Sequence, residues 1–354
     1  MKKKIYIHIG RPKVGSTAIQ RFLKFNRRTL LENDVLFPVT GERQSASHQL
    51  AAVLLEDAKP EKASLAATLY QELIDEIETS SASNCIISSE NFYFVKPQRL
   101  AKVLADQLDV KIVCYVRRQD EVLVSSYIQE MRDNTLSERE RDDIDRYLSR
   151  PNRLRFLDYK NVLDQWANVF GVENVVVRVY ETGQLKGDLF DDVLDAMGVR
   201  STENYNKPKK RVNSTPASDV LEIIKQVNHY PAPLMVQRQI KNRLVEISES
   251  MEYSRRFDAT RIFTTKQKQD VLARFDKSNA ATARKYLQRE DGRLFLQGVQ
   301  ADDVASAEEG GADRVTDFDR MTQIWLGMIS YQQQEFNKLE MQISILRKSI
   351  SSKK

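Results

Sequence analysis

The chain has 354 residues, of which 41% are apolar and 30% are charged, a balance typical of a soluble globular protein with one large domain or two modest ones. Its 55 basic and 50 acidic residues give a net charge of +5, which suits a protein that holds anionic ligands but is too small to indicate a nucleic-acid partner. The sequence has two cysteines in apolar runs, no signal-peptide pattern and no apolar stretch long enough for a membrane span, so we expect free thiols and a cytoplasmic protein.

The first part of the chain alternates short β-type runs with helical patterns. The β-type runs lie at 4–9, 84–88, 110–116 and 175–180, and helical periodicity lies between them at 16–33, 65–78 and 120–132. Short strands that alternate with longer helices predict an α/β fold, in which a central parallel sheet is flanked by helices on both faces.

The second part of the chain loses the β signal. Helical patterns follow at 217–229, 233–250 and 266–289, and residues 301–318 are acidic, small and glycine-containing, as in a linker. We therefore expect a domain at 1–300, with an α/β core at 1–216 and a helical part at 217–300, then an acidic linker at 301–318 and a terminal helix at 319–354.

The terminal helix carries a heptad pattern over about four heptads. Its seam steps alternately by three and four residues through Thr322, Trp325, Ile329, Gln332, Phe336, Leu339, Ile343, Leu346 and Ile350. Such a seam packs on its own domain, pairs with a second copy as a coiled coil, or docks another partner. The sequence leaves these alternatives open, so residues 322–350 are a candidate surface for homo-oligomerisation or partner docking.

A glycine-containing turn separates the first β-type run from the first helix, in the segment from Gly10 to Thr17. Glycines let backbone N–H groups approach a phosphate, and the helix that follows points its positive end at the anion. Ser16 and Thr17 can donate to phosphate oxygens, and Lys13 adds a mobile positive charge. The spacing is that of a P-loop except that the lysine precedes the second glycine instead of following it, which argues against an ordinary kinase or NTPase, the leading alternative.

The segment PKVGST resembles the 5′-phosphosulfate loop of the sulfotransferases that use 3′-phosphoadenosine 5′-phosphosulfate (PAPS), although Val14 replaces a small hydroxyl residue. The resemblance implies a P-loop NTPase-like fold and a PAPS site that includes Arg11, Lys13, Gly15, Ser16 and Thr17. It also implies that Lys13 shifts toward the bridging oxygen as the sulfate leaves.

A second element supports the resemblance. Arg117 follows the third β-type run, and Ser125 lies eight residues later on the next helix, an arrangement that the family uses to bind the 3′-phosphate of PAPS. Arginine offers a planar fork for phosphate oxygens, and serine offers a hydroxyl donor. The basic run at 207–218 occupies the place of the family's 3′ loop, and the resemblance adds Lys210 and Arg211 to the nucleotide site.

The acceptor side of the reaction requires a base near the acceptor hydroxyl. His48 lies in the stretch where glycan-modifying members of the family have their base, and Glu90 directly follows the second β-type run, at the carboxyl edge of the predicted sheet. Related enzymes use either a histidine or a glutamate, so both are candidates and a residue elsewhere is a third alternative, whereas His8 is expected in the core. The resemblance requires no metal.

The segments RVNSTPA and SNAATARKYL are similar to bacterial family members associated with surface polysaccharides. They imply a hydroxyl or amino group of a cell-surface or exopolysaccharide glycan as acceptor. The alternatives are a P-loop-like kinase or NTPase, and a non-catalytic scaffold that acts through the C-terminal helix.

Overall fold

A computed structural model gives the fold of the chain over most of its length. It describes residues 2–55, 60–137, 143–199, 204–208, 216, 218–229, 233–250 and 262–299, and, near the C-terminus, 324–325, 328, 331–332 and 334–345. The chain divides into two compact units. Unit 1 comprises Met1–Ser125, Leu148–Val212 and Lys266–Val299, and unit 2 comprises Ser126–Tyr147, Asn213–Thr265 and Gln300–Lys354.

A five-stranded parallel sheet forms the centre of unit 1. Its strands are β1 Lys4–His8, β2 Val35–Leu36, β3 Asn84–Ser88, β4 Asp109–Val116 and β5 Val175–Val179. They lie in the order β2-β3-β1-β4-β5, and each neighbouring pair is parallel. Four strands agree with the sequence prediction to within a residue at each end. The two-residue β2 is too short to produce a periodic pattern and was not predicted.

Helices connect and cover the strands. They are α1 Ser16–Phe25, α2 Arg27–Glu32, α3 His48–Ala52, α4 Pro60–Thr79, α5 Pro97–Leu104, α6 Gln119–Asp133, α7 Ile144–Leu148, α8 Pro151–Arg155, α9 Tyr159–Phe170, α10 Leu189–Ala196, α11 Ser218–His229, α12 Leu234–Ser250 and α13 Thr265–Leu287. Short 3₁₀ helices occupy Glu90–Phe94 and Val172–Asn174. The last three helices confirm the predicted helical half.

The sheet is buried on both faces because successive residues of a strand point in opposite directions. Ile5 and Ile7 of β1 belong to one apolar core, which includes Trp166 and other residues of α4, α5 and α9. Tyr6 belongs to a second core on the other face, with Phe22 of α1 and residues of α10. The predicted central sheet with helices on both faces is therefore confirmed.

Unit 2 is built mainly from helices. α11 and α12 pack against each other, and Asn228 of α11 donates its side-chain amide to the carbonyl of Met131 at 2.8 Å. Lys241 of α12 donates to the side-chain oxygen of the same asparagine at 2.9 Å. Tyr127 and Tyr147 form an edge-to-face pair with ring centroids 4.9 Å apart. The predicted linker at 301–318 lies outside the described residues.

Both cysteines are free and buried in the sheet, as predicted, and burial raises the pKa of the Cys114 thiol to about 12. A search of the helices in the described parts of the chain finds none that is long and apolar enough to cross a membrane.

The position of β1 in the sheet determines where a ligand can bind. The chain leaves β1 for β2 and β3 on one side of the sheet, and then returns to place β4 and β5 on the other side. In open parallel sheets, ligands bind outside the carboxyl ends of the strands at such a reversal of strand order. The loop after β1 lies at this point, and so do the residues that follow β3 and β4.

Candidate functional site

The loop between β1 and α1 has a backbone conformation that depends on glycine. Gly10 and Gly15 have φ values of +47° and +81°, which L side chains rarely adopt. A Cβ atom on Gly10 would lie 2.8 Å from the hydroxyl oxygen of Ser16, and one on Gly15 would lie 2.8 Å from a methyl group of Leu189. Lys13 also has a positive φ of 76°, so the loop curls sharply between the two glycines.

The first turn of α1 has no side-chain cap, because Gly15 is the residue before the helix. Its carbonyl accepts the N–H groups of Ala18 and Ile19 at 2.9 and 3.1 Å, which fixes the direction of the helix. The earlier N–H groups and the Thr17 hydroxyl therefore stand at the positive end of the helix dipole, beside Lys13.

Arg117 connects this loop with the end of β4. Its Nη1 donates to the carbonyl oxygen of Lys13 at 3.1 Å and to the Ser125 hydroxyl at 3.4 Å, while its Nε donates to a Glu121 carboxylate oxygen at 2.7 Å. The guanidinium carbon lies 5.6 Å from the centre of the Tyr180 ring. Arg117, Ser125 and Lys13, which sequence reasoning assigned to one nucleotide, are thus brought together.

His48 and Glu90 lie at the end of β3. The N–H of Ser47 donates to the carbonyl of Ser88 at 2.9 Å, which holds the start of α3 against the strand. His48 Nδ1 lies 2.8 Å from the Ser89 hydroxyl oxygen, and that oxygen also accepts the N–H of Asn91 at 3.2 Å. If Nδ1 donates its proton to Ser89, the lone pair of His48 lies on Nε2, the atom that a general base would use.

Glu90 is engaged differently. One of its carboxylate oxygens accepts the side-chain amide of Gln20 from α1 at 2.7 Å, and its Cα lies near Gly10. Glu90 therefore borders the loop after β1 and has a partner from α1. His48 lies beside Ser89 at the end of β3, and the structure's described residues hold it through Nδ1.

Sequence reasoning did not assign several residues that the structure places here. His8 is fully buried, as expected of a core residue; its Nδ1 lies 2.8 Å from the Ser88 hydroxyl, and burial lowers its pKa from 6.5 to about 4. Tyr180 borders both Arg117 and Gly15. The sequence signal that places these two residues near the site is their position, because His8 and Tyr180 stand at the carboxyl ends of β1 and β5.

Arg11 is nearly buried inside the loop. Its Nη1 donates to the carbonyl of Pro12 at 2.8 Å and its guanidinium carbon lies 5.9 Å from the centre of the Tyr93 ring. Its Nε is buried and has no hydrogen-bond partner among the described residues. A buried N–H without an acceptor is unfavourable, so this cation is suited to an anionic ligand.

Two of the predicted nucleotide residues, Lys210 and Arg211, lie outside the described residues. In the part of the chain that the structure describes, no group of three or more His, Cys, Asp or Glu side chains is arranged to hold a metal ion.

Comparison with known proteins gives distant similarities. No protein-family model matches the chain. It is 24% identical over 207 residues to an uncharacterized protein of Archaeoglobus fulgidus, covering 57% of this chain and about half (53%) of the length of that relative. Among solved structures, a sulfotransferase from Alicyclobacillus acidocaldarius aligns with a TM-score of 0.39 and 19% identity, over 68% of this chain and 95% of that one.

Proposed function

We propose that the chain is a sulfotransferase that moves a sulfuryl group from PAPS to a hydroxyl group of a carbohydrate. The observation that carries the proposal is the position of Arg117, which contacts Ser125 at 3.4 Å and the backbone of Lys13 at 3.1 Å. Arg117 and Ser125, which can bind one phosphate group, therefore lie near the N-terminus of α1, which can bind a second. A donor with separate phosphate groups at its 3′ and 5′ positions fits this arrangement.

The residues of the loop suit the 5′-phosphosulfate end of the donor. Gly10 and Gly15 allow the loop to curl tightly against Ser16 and Leu189, and the unpartnered Nε of Arg11 is a buried donor without an acceptor among the described residues. Lys13, Ser16 and Thr17 add a cation and two hydroxyl donors. Arg117 and Ser125 would hold the 3′-phosphate, and the family resemblance assigns Lys210 and Arg211 to the same nucleotide.

The loop also suits the charge that develops during transfer. As the acceptor oxygen bonds to sulfur, the bond between sulfur and the bridging oxygen breaks, and negative charge accumulates on the adenosine bisphosphate that leaves. Lys13 and the N-terminus of α1 would stabilise this charge, because fixed positive groups at the site of developing charge lower the barrier. Ser16 stands where the lysine of a P-loop NTPase would be, which disfavours chemistry on a triphosphate.

We assign the base to His48, with Glu90 as the alternative. The contact between Nδ1 and Ser89 orients the imidazole and leaves Nε2 to receive the proton of the acceptor hydroxyl. Glu90 would instead orient Gln20 and the wall of the loop.

The acceptor class rests on the resemblance of two segments to bacterial polysaccharide enzymes. One of them, residues 278–287, lies within α13, where Asn279 accepts the side-chain amide of Gln119 at 2.6 Å and Ser278 donates to Asp158. This segment contributes packing at the start of α6, so the structure adds no glycan contact to the assignment. The two unpaired thiols suit a reducing compartment, and we place the reaction in the cytoplasm, on glycans before export to the cell surface.

Transfer of radiolabelled sulfate from PAPS to a panel of bacterial polysaccharides and oligosaccharides tests the proposal. The wild-type chain should label at least one glycan, and Lys13→Ala should label none above background. Equal labelling by both proteins would contradict the assigned site. Labelling of simple phenols or alcohols but of no glycan would retain the transferase and reject the carbohydrate acceptor.

A further inference from the structure

The C-terminal helix of unit 2 uses one of its faces within its own unit. Ile324 is buried, and Tyr331, seven residues later, lies under the guanidinium of Arg243 on α12 at 4.5 Å. Residues seven apart occupy the same face of a helix that follows a heptad pattern. These two residues therefore pack on the chain itself, whereas Ile345, at the same heptad position, is 59% exposed.

The apolar seam lies on a different face and is exposed to solvent. Of its described apolar members, Trp325 is 60% exposed, Phe336 57%, Leu339 56% and Ile343 48%. Exposed apolar side chains aligned along one helix face are unfavourable in water and mark an interaction site.

We propose that this seam pairs with the same seam of a second copy of the chain, forming a dimer. The seam residues are Trp325, Phe336, Leu339 and Ile343. Ile343 takes position a of the heptad and Leu339 position d. Isoleucine fills three of the five a positions of the seam and leucine two of the four d positions, a bias toward the combination that favours two strands. A seam of this composition is complementary to itself.

The described seam residues supply most of the surface that a specific dimer needs. Each of the four seam side chains has roughly 100 Å² left to bury, so two copies would bury on the order of 800 Å² here, close to the ~1,000 Å² of a specific interface. The sequence continues the same heptad pattern on both sides of these residues. This inference is independent of the proposed chemistry in unit 1.

Light scattering on the full-length protein, with matched single substitutions, tests the dimer. Ile343 lies on the seam, whereas Ile345 is also exposed, at 59%, but lies off it. The wild-type chain at about 50 µM should have twice the 40.9 kDa mass of the monomer, well above the dissociation constant of a micromolar or tighter complex. Ile343→Asp and, separately, Leu339→Asp should reduce the mass to 40.9 kDa, and Ile345→Asp should leave the dimer intact.

A monomeric wild-type chain would overturn the proposal, as would a dimer that survives both seam substitutions. Dissociation by Ile345→Asp to the same extent as by Ile343→Asp would also overturn it, because the interface would then not follow the seam. Circular dichroism of each variant would verify that unit 1 and unit 2 remain folded, since all three substituted positions are exposed.

Discussion

Arg117 and Arg118 are neighbours with identical side chains, yet their surroundings give them different roles. Arg118 forms two hydrogen bonds with Asp120, at 2.8 and 2.9 Å, and both side chains are almost fully buried. Arg117 is half-buried and reaches the loop after β1 and Ser125. In the sequence, the eight-residue step from Arg117 to Ser125 is what distinguishes the two arginines. In the structure they differ because Arg118 is paired with Asp120, whereas Arg117 reaches Ser125.

This difference predicts opposite effects of alanine at the two positions. Arg117→Ala should weaken binding of adenosine 3′,5′-bisphosphate about 10- to 100-fold, since a charged hydrogen bond contributes about 1.5–3 kcal/mol, with little change in stability. Arg118→Ala should leave Asp120 buried without its partner and lower the free energy of unfolding by about 3 kcal/mol. Calorimetric titration with the bisphosphate measures the affinity of each variant, and urea unfolding measures its stability. Equal nucleotide affinity of Arg117→Ala and the wild type would contradict the role of Arg117.

The assignment of His48 as base predicts a specific loss of turnover. His48→Asn should reduce kcat about 10²- to 10⁴-fold because proton transfer from the acceptor is lost, while affinity for the bisphosphate stays unchanged. Glu90→Gln is the control, since it keeps the shape of the side chain. Initial rates of sulfate transfer with saturating PAPS measure both. If Glu90→Gln shows the larger loss and His48→Asn a small one, Glu90 is the base.

The buried His8 predicts a loss of stability on mild acidification. Its pKa is lowered by burial from 6.5 to about 4, so between these values the unfolded chain binds a proton that the folded chain does not. Protonation of His8 in the unfolded chain has little effect on stability above pH 6.5. At pH 5 it should lower the free energy of unfolding by about 2 kcal/mol. His8→Asn removes the titrating group but keeps a polar atom for Ser88. Urea unfolding measures how far the free energy of unfolding decreases from pH 7 to pH 5. This decrease should be about 2 kcal/mol smaller in the variant than in the wild type, and equal decreases would contradict the prediction.

At the scale of elements, the strand–loop–helix unit of β1 and α1 was largely predictable from the sequence. Its pattern is local, because a β-type run, two glycines and an amphipathic helix follow one another within 25 residues. β2 was missed because two residues cannot show a period, and it exists only because Val35 and Leu36 pair with β3. The contact between His48 and Ser89 spans 41 residues, and no local pattern encodes it.

The conformation of the loop gives a prediction with an internal control. Gly15 and Gly183 have similar φ values of +81° and +90°, but a Cβ on Gly15 would meet Leu189 and Tyr180, whereas one on Gly183 would meet nothing within 4 Å. Alanine at either position should cost about 1–2 kcal/mol of stability through backbone strain. Only Gly15→Ala should also weaken bisphosphate binding, by about tenfold or more, because the loop must shift. Calorimetric titration compares them, and equal affinities of the two variants would contradict the loop's role.

At the scale of the whole molecule, the class of fold was predictable from the sequence, whereas the division into units depends on contacts between distant segments. Alternation of strands and helices required a parallel sheet with two covered faces, and the structure has one. Periodicity predicts a helical part at 217–300 and carries no information on units; by contacts, Asn213–Thr265 belong to unit 2 and Lys266–Val299 to unit 1. Such a division depends on which apolar faces meet in three dimensions, and periodicity along the chain does not specify that.

The proposed transferase requires the chain to bind a nucleotide with phosphate groups at both its 3′ and 5′ positions. Isothermal titration calorimetry of the full-length protein with adenosine 3′,5′-bisphosphate, 5′-AMP and ATP–Mg²⁺ tests it most directly. We predict micromolar or tighter binding of the bisphosphate, at least tenfold weaker binding of 5′-AMP because Arg117 and Ser125 lose their ligand, and no comparable binding of ATP–Mg²⁺. Binding of ATP–Mg²⁺ without binding of the bisphosphate would contradict the sulfotransferase assignment.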